Sequence, residues 1–153
     1  MGGHRFLLLV TLALLLGAAA CDRRIDVDFN YALENKDYDR AEALLGQGAD
    51  IDARFIQSDG YTTLMMVVKD KTNPATVTWL LEHGADLEQR SFSGRTALHV
   101  AANEGRAGHV EILLGAGAAI NARSHRGQTP LRLARDKGHT ATERILREAG
   151  GQY

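Results

Sequence analysis

The chemistry open to this 153-residue chain rests on few side chains: His4, His83, His99, His109, His125 and His139, and a single cysteine, Cys21. Proton transfer, metal binding or nucleophilic attack would have to be built from these groups. Their spacing builds none of them. There is no His-Glu-x-x-His helix motif, no cysteine pair and no clustered glycine loop for a phosphate. His83 and His109 fall in or near helical stretches without a histidine partner four residues away, and His99 and His139 sit inside a repeated phrase, where a structural role is expected. The chain reads as a non-enzyme, with no catalytic residue, no metal ligand and no cofactor. Recognition is the other available chemistry. Arg54, Arg90 and Arg123 recur at intervals of 36 and 33 residues. Arg95, His125 and Arg126 lie near them, with Tyr61 and Phe92 alongside. Guanidinium groups suit bidentate recognition of carboxylates, and arginine with aromatic residues is the composition enriched at interface hot spots. These eight residues are candidates for binding a protein partner with an acidic contact surface. The competing reading is an internal ladder, each arginine pairing with a nearby acid such as Asp59 or with backbone carbonyls.

Positioning such a column takes a repeated element, and the sequence contains one. Asp59-Gly-Tyr-Thr-Thr-Leu64, Ser93-Gly-Arg-Thr-Ala-Leu98 and Arg126-Gly-Gln-Thr-Pro-Leu131 are three copies of one phrase. Each leads into a small-residue helical stretch and then a second stretch closed by Gly84, Gly117 or Gly150. With Gly48, these glycines stand where a helix would stop in a left-handed residue. Asn73 followed by Pro74 predicts the start of a second helix as N-cap and first-turn proline. A period near 33 is the mark of stacked helix pairs, each unable to bury its apolar face alone.

These motifs resemble the ankyrin repeat and its Thr-Pro-Leu-His-x-Ala phrase. The resemblance spans about residues 25 to 150 and implies an all-α solenoid of stacked helix-turn-helix pairs with β-turn or hairpin tips. It places a capping repeat at about 26–54 and full copies at 55–90, 91–123 and 124–150, within a domain of residues 26–153. It also implies hydrogen bonds from Thr96 and His99 that tie a turn to its helix. Met65 and Arg132 hold the His99 position in the neighbouring copies, so that tie should be missing there and those copies locally weaker. Beyond the first helices, Lys69 and Asp70, Asn103 and Glu104, and Asp136 and Lys137 would line a concave groove. Their mixed charges equally describe a plain solvated face.

The N-terminus is a separate object. Met1 to Arg5 is a weakly basic lead, Phe6 to Leu16 an apolar run of 11 residues, and Gly17 to Ala20 a small-residue cleavage region. This is the pattern of a secretory signal, too short to span a bilayer as a mature helix. The stretch Leu16-Gly-Ala-Ala-Ala-Cys21 resembles a bacterial lipobox, with Ala18 where Leu is usual. Residues 1–20 would then be a lipoprotein signal peptide and 21–25 a lipidated N-terminus and short linker, with Cys21 bearing the anchor, a palmitate label its marker and the membrane its partner. Ordinary cleavage after Ala20, leaving a free thiol, is the alternative. Asp22, next to the cysteine, slightly favours the inner over the outer membrane.

A net charge of −1 and 24% charged residues argue against a nucleic-acid binder. The charge is uneven: residues 22–52 hold nine acids against four bases, and residues 91–153 nine bases against five acids. The expected function is a monomeric, periplasm-facing protein-interaction module of the bacterial cell envelope, engaging its partner through turn tips and groove. An immunity or inhibitor protein against a periplasmic toxin or enzyme is one alternative. A support factor for an envelope or oxidative-stress enzyme is another.

Overall fold

The computed structural model describes residues 24–70 and 73–153. The signal peptide, Cys21 and Asp22 lie outside the described residues. The chain divides into two compact units, Met1–Asp50 and Ile51–Tyr153.

In the first unit, helix α1 covers residues 24–34 and α2 runs Tyr38–Gly46. Phe29, Ala32, Leu33 and Ala41 are buried. Asp37 caps α2 by accepting from the Arg40 amide at 3.1 Å, and the Asp26 carboxylate accepts from the Asp50 amide at 2.8 Å.

The second unit opens with a two-residue hairpin, β1 (Arg54–Phe55) and β2 (Tyr61–Thr62), in antiparallel register with Arg54 opposite Thr62. Three helix pairs follow. The first helices, α3 (Thr63–Lys69), α5 (Ala97–Asn103) and α7 (Pro130–Asp136), have seven residues each. The second helices, α4 (Pro74–Glu82), α6 (Ala107–Gly115) and α8 (Thr140–Glu148), have nine. Isolated helices this short are marginal in water, so packing must supply their stability. α5 packs between α3 and α7, while α6 packs against α4 and α8. The first helices form the inner layer: six of the seven residues of α5 are buried. The second helices bury a single face, in α6 His109, Val110 and Leu113.

Local signals account for the boundaries. Asn73 accepts from the Ala75 amide at 3.0 Å and Pro74 begins α4, as the sequence predicts. Gly48, Gly84, Gly117 and Gly150 take φ of 91 to 100°, ending their helices in the left-handed region. Thr96 and His99 form the expected reciprocal capping box. With Met65 and Arg132 in place of the histidine, half of the cap survives. Thr62 still accepts from the Met65 amide at 3.4 Å, and Thr129 from the Arg132 amide at 3.3 Å. What those copies lose is the side-chain return bond to the threonine amide.

No helix among the described residues is long and apolar enough to cross a membrane.

Candidate partner interface at the turn tips

Three sets of hydrogen bonds run from copy to copy along the tip edge of the second unit. The first is made by the recurring arginines. Arg54 donates through Nη1 to the Arg90 carbonyl at 2.8 Å and through Nη2 to Gln89 Oε1 at 2.6 Å. Arg90 Nη1 donates to the Arg123 carbonyl at 2.9 Å and to the Gly94 carbonyl at 3.0 Å. Arg123 donates to the Gly127 carbonyl at 3.0 Å and, through Nη2, to the carbonyl of Tyr153 at 3.3 Å. Arg54 and Arg90 thus each reach the carbonyl of their counterpart in the next copy, while Arg123 reaches the backbone oxygen of Tyr153. These three candidates follow the ladder reading, with carbonyls as acceptors. Asp59 is not their partner, because its carboxylate accepts from the hydroxyls of Ser91 at 3.1 Å and Ser93 at 2.5 Å.

The second set was invisible as a motif. Asp52 Oδ1 accepts from the Asp86 amide at 3.0 Å, Glu88 Oε1 from the Ala119 amide at 2.8 Å, and Asn121 Oδ1 from the Gln152 amide at 2.7 Å. Each acceptor lies two residues before a ladder arginine. Two acids and an amide look like unrelated residues in sequence, yet all present an sp² oxygen to a backbone N–H. The third set joins the tips directly: the Phe92 amide donates to the Asp59 carbonyl at 2.8 Å and the His125 amide to the Ser93 carbonyl at 3.0 Å. At Gly94, φ is 75°, and a Cβ would lie 2.8 Å from the His125 backbone nitrogen, so a side chain there is excluded twice over.

His99 locks the same edge from inside. Its Nδ1 accepts from the Thr96 amide at 3.2 Å, which leaves the ring proton on Nε2, donated to the Gln128 carbonyl at 3.0 Å. Burial pushes its pKa down from 6.5 to about 4, and the cations of Arg90 and Arg95 push the same way, against the pull of the Gln128 carbonyl. The ring is therefore neutral and structural. At the opposite end of α5, His139 Nε2 meets the Asn103 carbonyl at 2.9 Å.

Against this bonded frame, the remaining tip candidates differ. Arg95 and Arg126 line one open cleft of about 270 Å³ with Asp59, Ser93, Ser124 and Gln128. No hydrogen bond or ion pair among the described residues holds either guanidinium. Phe92, adjacent to Ser93 in the chain, is 54% exposed although its ring lies against Gly60, and Ile56 is 70% exposed. His125 is exposed and Tyr61 half-buried. Of the cleft's six residues, only Arg95 and Arg126 were legible beforehand. Asp59, Ser93, Ser124 and Gln128 flank the same glycines, one or three residues before or one after, and that register is the signal that could have found them.

The six groove candidates lie elsewhere. Lys69, Asn103 and Asp136 end the first helices, and Asp70, Glu104 and Lys137 are their C-caps. A seven-residue helix, about 10 Å long, separates them from the tips. Several are engaged locally. Asn103 donates to Glu104 at 2.8 Å, the Lys69 carbonyl accepts from Arg106 at 3.0 Å, and Asp136 pairs with Arg132 at 3.5 Å and Arg135 at 4.0 Å.

Short helix pairs joined by glycine turns, with copy-to-copy bonds along one edge, define a repeat protein. The family model for ankyrin repeats (3 copies) matches residues 29–124 and 64–152. The chain belongs to the ankyrin-repeat family, whose members are generally protein–protein interaction modules and typically non-catalytic. No curated protein matches the chain significantly. Among the described residues there is no group of three or more histidine, cysteine or acidic side chains arranged to hold a metal ion.

Proposed function

We propose that this chain is a non-catalytic protein-binding module held at the periplasmic face of the bacterial cell envelope by a lipid on Cys21, and that it engages its partner through the turn tips. The observation that carries the binding surface is the pair of guanidinium groups, Arg95 and Arg126, left without internal partners on an edge otherwise closed by hydrogen bonds. Phe92, next in the chain to the cleft residue Ser93, supplies exposed apolar area, so the edge has both components of a hot spot. Tyr61 and His125 extend the surface, while Arg54, Arg90 and Arg123 hold its shape. Envelope placement rests on the sequence of residues 1–22 and the lipobox-like Ala18-Ala-Ala-Cys21.

Two experiments test the two halves. A photo-crosslinking residue at position 92 in intact cells should capture a protein by mass spectrometry, and Arg95→Glu with Arg126→Glu should abolish the capture. Capture unchanged by the double variant removes the tips from the interface. Palmitate labelling should vanish in Cys21→Ser, and labelling that survives removes the anchor.

A further inference from the structure

We infer that the cleft lined by Arg95 and Arg126 is a receptor for one carboxylate, the side chain of a Glu or Asp in a partner segment lying along the tip edge. The inference rests on the protein-binding reading and assigns its chemistry to a single site. The cleft sits on two columns of the repeat. Asp59, Ser93 and Arg126 each precede a turn glycine, and Arg95 and Gln128 each follow one. The residues before the glycine therefore pass from acid through hydroxyl to base over successive copies. Asp59 Oδ2 accepts from Ser91 and Ser93, and no ion pair among the described residues joins its carboxylate to Arg95 or Arg126, so its charge offsets one guanidinium without engaging either. The charged donors that remain are two planar guanidinium groups, one after and one before a turn glycine, lining one cleft of about 270 Å³.

This donor set selects the ligand. Two guanidinium groups over one fixed carboxylate leave a formal charge of +1 in the cleft, which a monoanion balances. A phosphate dianion would overshoot that balance with Asp59 among the lining residues. The guanidinium fork matches a carboxylate geometrically, and charge-assisted bonds of this kind are the strong ones. A side-chain carboxylate, unlike a chain end, leaves the partner backbone free to continue over the exposed ring of Phe92, next in the chain to Ser93. The frame is preorganised, because the amides of Phe92 and His125 and the carbonyl of Gln128 are already bonded, so little ordering is left for binding to supply.

The five tip arginines make the test self-controlled. In the full-length chain in detergent micelles, the arginine Nε–H signals would be followed by 15N NMR while N-acetylglutamate α-amide is added. The expected result is a saturable shift of Arg95 and Arg126 at about millimolar concentration, with Arg54, Arg90 and Arg123 unmoved. N-acetylglutamine α-amide should produce no shift. Arg95→Gln and Arg126→Gln should each weaken the titration about tenfold, with unmoved ladder signals certifying that the variants are folded. Shifts shared by all five arginines, or absent throughout, overturn the inference. So does tighter saturation by inorganic phosphate, or by N-acetylglycine as a chain-end carboxylate. If the titration fails while crosslinks from position 92 still capture a protein, the carboxylate assignment falls and the binding reading stands.

Discussion

Arg90 and Arg95 lie five residues apart on one turn and do opposite work. Arg90 donates to two carbonyls, one in its own turn and one in the next copy. Arg95 lines an open cleft with no internal acceptor. Their neighbours divide the same way: Arg54 and Arg123 join the ladder, Arg126 the cleft. The difference follows from position in the repeat. A ladder arginine stands six residues beyond the glycine that ends the preceding second helix, where the chain comes alongside its counterpart in the next copy. Arg95 and Arg126 flank the turn glycine itself, Arg95 after Gly94 and Arg126 before Gly127. A charged residue on an ankyrin tip is therefore structural or available for binding according to its register. Its chemical type does not decide the matter.

The largest test of the bonded side is pH. His99 in the unfolded chain titrates near 6.5, but in the folded chain only near 4. Below pH 6.5 the unfolded state takes up the proton first, so stability falls as pH drops from 6.5 toward 4, by on the order of 3 kcal/mol in total. Above 6.5 this contribution is fully present. Urea melts at pH 7 and pH 4.5 should show the loss, and His99→Gln should flatten that part of the profile. A profile unchanged by the substitution would mean that His99 does not carry the pH dependence.

Next in size is the direct contrast between the two arginine classes. Arg90→Gln removes charge-assisted bonds to two carbonyls and should destabilise by about 1–2 kcal/mol, discounted because those carbonyls can recover water. Arg95→Gln should stay within about 0.5 kcal/mol, as surface changes without partners do. Equal losses in chemical melts would erase the distinction between ladder and cleft.

The C-terminal tail gives a smaller effect of the same kind. Gln152 donates its amide to Asn121 at 2.7 Å and accepts from the Thr129 hydroxyl at 2.6 Å, while Tyr153 offers its carbonyl to Arg123. Removing Gln152 and Tyr153 should cost about 1 kcal/mol. The loss should concentrate in α7 and α8, read as faster amide hydrogen exchange there than in α5. Uniform acceleration would show that the tail does not cap the ladder.

Much of this was legible in the sequence, for physical reasons that also mark where legibility stopped. Thr62, Thr96 and Thr129 announce helix starts, Asn73-Pro74 another, and Gly84 and Gly117 announce stops, because caps and left-handed residues are local and restrict residue type strongly. The fate of the arginines was not legible, since their acceptors are carbonyls, which every residue owns and no sequence displays. The oxygen ladder was hidden for a related reason. Asp52, Glu88 and Asn121 share an acceptor atom while differing in charge, so a search by charge sees no column. The cleft was half visible: Arg95 and Arg126 stood out, but Asp59 looked like a salt-bridge partner until Ser91 and Ser93 were seen to hold it.

The smallest expected effect on stability is also the sharpest probe of the comparison. Arg126→Gln removes a guanidinium that holds nothing in the fold, so its melting curve should overlay that of the unmodified chain within about 0.5 kcal/mol. If the tip edge is the interface, the same change should reduce partner capture from position 92, and the loss should be greatest at low salt, where a rim charge contributes most to association. Arg123→Gln predicts the reverse pattern, with a measurable loss of stability and capture that recovers when temperature is lowered enough to restore the fold. A variant pair that swapped these signatures would show that register along the turn does not separate structural from recognising arginines. The parallel loss of both properties in Arg126→Gln would place that side chain within the frame.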